Sequence, residues 1–186
     1  MKDTGYYRVL KGHKSFKPPV TIVFLHGTSL SHQCWLRTAT ELSTQYGVDA
    51  LLLDFFFHGA SPPPPHDSFR PEDLVQQLRA ILVELGWEKR RITIAGLSLG
   101  GAVAQLYHIE YPNVVERLVL AGSGGLKEEG IAITRPIRHL LKPARKLLRK
   151  VPSSVKGKGS FLDRARCFAE LAKTVPDYGV PQDTPR

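Results

Sequence analysis

The sequence predicts an α/β domain, with a mostly parallel sheet flanked by helices. Three observations predict it. Short apolar runs alternate with segments of helical period over the first two thirds of the chain. The connections between them are short, and repeated β–α–β units of that kind give parallel strands with right-handed crossovers and helices on both faces. The apolar runs lack the polar alternation of a half-solvated strand, as expected of strands buried on both faces.

Taken in order, Val20-Thr21-Ile22-Val23-Phe24-Leu25 is a β-branched run that ends at His26-Gly27. Trp35, Leu36, Ala39, Leu42 and Tyr46 then recur at helical spacing, with Gly47 as a stop. Asp49 to Phe57 reads as a second buried strand, closed by His58-Gly59-Ala60-Ser61 and four prolines. Leu74, Val75, Leu78, Ile81, Leu82 and Leu85 mark an amphipathic helix, with Pro71 suited to its start and Gly86 to its end. Arg91 to Ala95 is the third strand. The helix after it runs to Tyr111 and halts at Pro112, and Val115 to Ala121 is the fourth strand. A further strand is expected near Tyr6–Leu10, and no strand signal follows Ala121.

A chain of 186 residues is expected to form one domain with a sizeable core. Its net charge of +9 is uneven: residues 1–126 hold 12 Lys/Arg against 11 Asp/Glu, and residues 127–173 hold 13 against 4. The excess therefore has a local cause. Within that segment, 131–151 reads as helix interrupted by Pro136 and Pro143. Ile137, Leu140, Leu141, Leu147 and Leu148 share one face, and Arg or Lys residues fill the rest. Residues 152–160 read as a linker, and Phe161 to Thr174 as a further short helix. The domain boundaries expected are 1–126 for the core, 127–175 for a helical basic segment and 176–186 for an irregular tail.

A basic amphipathic helix over 131–151 can dock on an anionic membrane surface. Nucleic acid is not an expected partner, because aromatic interleaving and known binding motifs are absent. Cys34 and Cys167 lie far apart in the sequence and outside any CxxC pair, so neither a metal site nor a disulfide framework is expected, and no cofactor is implied. The first residues lack the apolar core of a signal peptide. The run from Ala50 to Phe57 is far short of the ~20 residues of a membrane span and carries Asp54 inside it. A cytoplasmic protein, with membrane contact at most peripheral, is the expectation.

Chemistry concentrates at Gly96-Leu97-Ser98-Leu99-Gly100, which fits GxSxG at a strand-to-helix junction. A strand that reverses sharply into a helix forces the serine into strained backbone angles and lifts its hydroxyl at the strand tip. The residues two places away must be small, because strand and helix cross there almost in contact. The helix N-terminus adds partial positive charge where an oxyanion would form. The alternative is a glycine-rich turn whose serine caps a helix. An oxyanion hole needs two main-chain N–H groups. The residue after the nucleophile, Leu99, supplies one, and the loop His26-Gly27-Thr28-Ser29 supplies the other, at Thr28. His26 itself is read as shaping that loop through hydrogen bonds.

TIVFLHGTS, the Trp35 helix, DALLLDFFFHGAS, IAGLSLGG and AGSGGL stand in the order and spacing of the α/β-hydrolase fold superfamily, which residues 6–126 resemble. The likeness is to its esterase, lipase and carbon–carbon bond hydrolase branch, since branches with an aspartate nucleophile do not fit Ser98. The usual arginine after the second strand is replaced within Phe55-Phe56-Phe57. The resemblance implies a serine hydrolase acting on an ester or acyl substrate, with residues 127–175 as a lid. It also implies an acid and a histidine after later strands. No histidine follows His139 and no strand is read after Ala121, so the expectation is a chain lacking the last third of the fold, with weak or no turnover. The runner-up is a catalytically incompetent protein of the same fold. An acyltransferase is a weaker option, without an HxxxxD signature. The fourth strand would then be an open sheet edge, favouring self-association.

Overall fold

The computed structural model of the chain describes residues 4–13, 19–65, 71–123, 126–127 and 178–179. The elements in chain order are β1 (Tyr7–Leu10), β2 (Thr21–Leu25), α1 (Gln33–Tyr46), β3 (Asp49–Leu53), α2 (Pro71–Glu84), β4 (Ile92–Leu97), α3 (Leu99–Glu110), β5 (Val115–Ala121), β6 (Leu126–Lys127) and β7 (Tyr178–Gly179). Five strands form one sheet in the order β1-β3-β2-β4-β5. The β3–β2, β2–β4 and β4–β5 pairs are parallel, and β1 joins antiparallel to β3. The α/β class and the mostly parallel sheet are those the sequence predicts.

Local chemistry explains the helix ends. Gly47, at φ 69°, closes α1 with its N–H directed to the carbonyls of Leu42 and Ser43, a left-handed cap that costs glycine little. Pro71 starts α2, and Glu72 and Asp73 place negative charge in its first turn. Alternate residues of the strands then face two different layers. Val23, Leu25, Leu51, Leu53, Ile92 and Ile94 pack with Leu74, Leu78, Ile81 and Leu82 of α2 and Val103 and Tyr107 of α3. Their neighbours Phe24, Ala50, Leu52 and Ala95 pack with Ala39, Trp35, Leu36 and Leu42 of α1. Burial of both faces is why these strands read as continuous apolar runs.

At the N-terminal end of the sheet, Asp49 binds Arg90 at 2.9 Å and Lys11 at 3.1 Å. Both cations also lie over the Trp87 ring, at 4.4 and 4.6 Å from its centroid. Burial alone would raise the Asp49 pKa. Hydrogen bonds from Arg90, the Gly12 N–H and Lys11 outweigh it and hold the carboxyl below its usual range.

Four expectations need correction. The second strand stops at Leu53, not Phe57. Asp54 lies just past the strand, its N–H still donating to Tyr6 O at 2.9 Å while its carboxylate accepts from loop donors, and Phe57 stands at φ 64°, outside strand geometry. The third strand runs on to Leu97, held by pairing of Gly96 with Leu120 and Leu97 with Ala121. The helix after it ends at Glu110, with Tyr111 as its cap. Strand does occur after Ala121: β6 and β7 pair in parallel through two residues each, too short to leave a periodic signal. The basic segment 127–175 and the tail 176–186, apart from these strand residues, lie outside the described residues, as do His66, His139 and Cys167. β5 occupies an outer position in the five-stranded sheet.

Candidate active site

The parallel strands end together at one rim, the end at which open α/β sheets bind ligands. Among the described residues, the loops that follow β2, β3 and β4 hold the non-glycine residues with positive φ: Ser29 at 63°, Phe57 at 64° and Ser98 at 51°. Such angles cost about 1–3 kcal/mol each where the surroundings enforce them.

Ser98 connects β4 to α3 with φ 51° and ψ −109°. Its side chain makes no capping bond to the helix, so the capping alternative does not describe it. Its main chain is fixed on both sides. The N–H donates to the Ala121 carbonyl at 2.9 Å, and the carbonyl accepts from Gly101 and Ala102 at 3.1 and 3.2 Å. The glycines are needed for close approach. A Cβ on Gly96 would stand 2.5 Å from the Gly100 carbonyl oxygen, and one on Gly101 would stand 2.5 Å from Ser123 Oγ. A Cβ on Gly100 would collide with the Leu25 carbonyl. Gln105 Nε2 donates to Gly101 O at 3.1 Å and to Ser123 Oγ at 2.9 Å, tying the first turn of α3 to the chain beyond β5.

The loop after β2 lies against this bend. A Cβ on Gly27 would stand 3.4 Å from both Ser98 Cβ and Leu97 O, and 3.5 Å from the exposed Leu30 side chain. Thr28 is the next residue along this loop, and Leu99, which follows Ser98, is the first residue of α3. Trp35 Nε1 anchors the end of β2 by donating to Leu25 O at 3.0 Å.

His26 is fully buried. Its Nε2 accepts from the Phe55 N–H at 3.0 Å, so in the neutral ring Nδ1 carries the proton and donates to Gly27 O at 2.8 Å. Burial drives its pKa down from 6.5 to about 4, with His58 and His32 adding to the shift against Gly27 and Asp54. The loop-shaping role expected of His26 is the one observed.

Sequence reasoning missed a second anchor. Asp54, fully buried, accepts from the His32 N–H at 2.6 Å, from His32 Nδ1 at 2.9 Å and from the Ala60 N–H at 2.9 Å. It clips the loop after β2 to the loop after β3. The signal available was an aspartate in the middle of an apolar run. Among the described residues, no group of three His, Cys, Asp or Glu side chains comes together to hold a metal ion.

A mostly parallel α/β sheet with a strained serine between a strand tip and a glycine-rich helix start defines a hydrolase-type framework. The chain belongs to the alpha/beta hydrolase family, whose model matches residues 22–185. It is 34% identical over 114 residues to the mouse sn-1-specific diacylglycerol lipase ABHD11, covering 61% of this chain and 35% of that protein. It is 33% identical over 102 residues to a pimeloyl-[acyl-carrier protein] methyl ester esterase of Chromobacterium violaceum, covering 55% and 36%. In fold it is similar to an esterase from Exiguobacterium antarcticum, with a TM-score of 0.64 at 16% identity, covering 90% of this chain and 69% of that one. The chain spans about a third of the length of these two curated relatives.

Proposed function

We propose that this chain is a serine hydrolase acting on an ester or acyl substrate through an acyl-enzyme on Ser98. The observation that carries the reading is Ser98 at φ 51° between β4 and α3, with Gly27 of the β2 loop near enough that a Cβ on it would stand 3.4 Å from Ser98 Cβ. The names of the relatives, a lipase and a methyl ester esterase, support the substrate class.

In this reading Ser98 Oγ bonds to the substrate's carbonyl carbon and the carbonyl π pair moves to oxygen. The N–H groups of Thr28 and Leu99, helped by the α3 dipole, hold that oxyanion. Its collapse breaks the bond to the leaving alkoxide, which takes up the proton that left Ser98. Water then cleaves the acyl-enzyme in the same manner. A serine hydroxyl reacts fast only when a positioned base takes its proton. Among the described histidines, His26 uses both ring nitrogens on the loops, and His32 and His58 direct Nδ1 to Asp54 and to Phe56 O. None of these three is assigned as the base. In protease triads, loss of one member costs about 10⁴–10⁶ in turnover, while the oxyanion hole and binding keep about 10³–10⁴ over water.

Labelling with a fluorophosphonate probe tests the reading. Labelling of the wild type that vanishes in Ser98→Ala is the expected result. Labelling that survives Ser98→Ala overturns the assignment, and a folded protein that never labels selects the catalytically incompetent alternative. Residues 127–175 as a lid, docking of 131–151 on anionic lipid and self-association through β5 remain parts of the same proposal. No helix among the described residues is long and apolar enough to cross a membrane.

A further inference from the structure

We infer that Leu30 is a specificity-determining residue of the Ser98 site, an apolar wall that favours esters carrying a carbon chain of several atoms beside the reacting carbonyl. This rests on the reading of Ser98 given above and adds a substrate preference to it. A leucine left 43% exposed is ordinary by itself, because single apolar residues are scattered over every protein surface. Its place makes the difference. The Leu30 N–H donates to Gly27 O at 3.2 Å, and Ser29, just before it, stands at φ 63°. This closes a four-residue turn whose third residue is left-handed, a position that favours glycine or asparagine and is held here by serine. The turn folds Leu30 back toward the residue from which it started.

One point measures how close that brings it to the serine. A Cβ on Gly27 would stand 3.5 Å from Leu30 Cδ1 and 3.4 Å from Ser98 Cβ. At most two carbon contacts therefore separate the leucine tip from Ser98 Cβ. The remaining near atom is Leu97 O, so the three nearest neighbours of that point include no charged group and no side-chain donor. Leu97 and Ser98 are half-buried, and Leu30 is exposed. A carbonyl carbon bonded to Ser98 Oγ lies two bonds from Ser98 Cβ, and chain atoms two or three bonds further on are long enough to reach Leu30. Contact there removes apolar surface of both partners from water, worth roughly fourfold in a rate or binding constant for each CH₂ fully buried. A carboxylate in the same place would lose water and meet no donor among these atoms.

Fluorophosphonate labelling of the full chain tests this in two arms. One compares methyl with octyl on phosphorus, which stands for the acyl chain. The other compares methyl with octyl on the alkoxy oxygen, which stands for the alcohol. Each arm reads the octyl-to-methyl ratio of second-order labelling rates, so a loss of folded protein cancels. The wild type should favour octyl by about tenfold in at least one arm, and that arm names the side of the ester that meets Leu30. Leu30→Ala removes three carbons and should bring the ratio close to parity, whereas Leu30→Met keeps the apolar bulk and should keep most of the preference. Tyr46→Ala, which truncates another exposed apolar side chain at the far end of α1, should leave the ratio as it is. No octyl preference in either arm, a preference that survives Leu30→Ala, or one that falls equally in Tyr46→Ala overturns the inference and leaves the reading of Ser98 standing. A wild type that labels with none of the probes, or that labels equally well as Ser98→Ala, overturns the reading of the site first, and this inference with it.

Discussion

Gly96→Ala is the sharpest test of the geometry around Ser98. An alanine Cβ would stand 2.5 Å from Gly100 O and 2.6 Å from Gly100 C and Gly101 Cα, whereas ordinary contact begins near 3.4 Å. The strand tip and the helix start would have to separate by about 0.9 Å. Both contact surfaces are main chain, so no side chain can swing aside. Overpacking of this kind costs about 1–3 kcal/mol. With a urea m-value of about 2 kcal/mol/M, a loss of ~2 kcal/mol lowers the unfolding midpoint by about 1 M. The same displacement moves the Leu99 N–H relative to Ser98 Oγ, and a misplacement of about 1 Å costs about 100-fold in rate. Urea unfolding and fluorophosphonate labelling, measured on the same preparation, read the two effects. A variant that keeps both its midpoint and its labelling rate would refute the claim that close crossing at Gly96 shapes the site.

Two predictions concern stability. His26 has a folded pKa of about 4 against 6.5 unfolded, so below pH 6.5 the unfolded chain binds a proton that the folded chain refuses. Its contribution is complete above pH 6.5, falls as pH drops toward 4, and is down by about 2 kcal/mol at pH 5. The groups that act on it are His58, Asp54 and His32. Unfolding of wild type and His26→Asn at pH 7 and pH 5 should show a smaller drop in the variant, and equal drops would contradict the assignment. Asp54→Asn leaves one acceptor oxygen for donors from His32 N, His32 Nδ1 and Ala60 N. It should cost about 1–3 kcal/mol in urea unfolding through an unmatched buried donor, and an unchanged midpoint would remove Asp54 as the clip between the two loops.

The elements that were legible in the sequence are those governed by local physics. The period of Leu74, Leu78, Ile81 and Leu82 marks α2, and the β-branched run before His26 marks β2. Gly96, Gly100 and Gly101 announced a close crossing, and the structure shows which carbonyls and which serine they approach. The boundary of β3 was less legible. Phe55 and Phe56 continue the apolar run and are buried, but they are buried beside the loops after the sheet has ended. Hydrophobicity reports burial, and it does not distinguish a strand from a packed turn.

By itself the sequence determined the order of the elements from β1 to β5, the faces they bury and the bend that carries Ser98. Each of these follows from residues within a turn or a few strand positions of one another. Only the tertiary structure decided how the buried polar groups are matched. His26 meets the Phe55 N–H across 29 positions, and Asp54 meets His32 across 22. A buried polar atom must find a partner, but its partner is chosen by the packing of loops that no local pattern brings together. Those distant pairs fix the tautomer of His26 and tie the loop after β2 to the loop after β3.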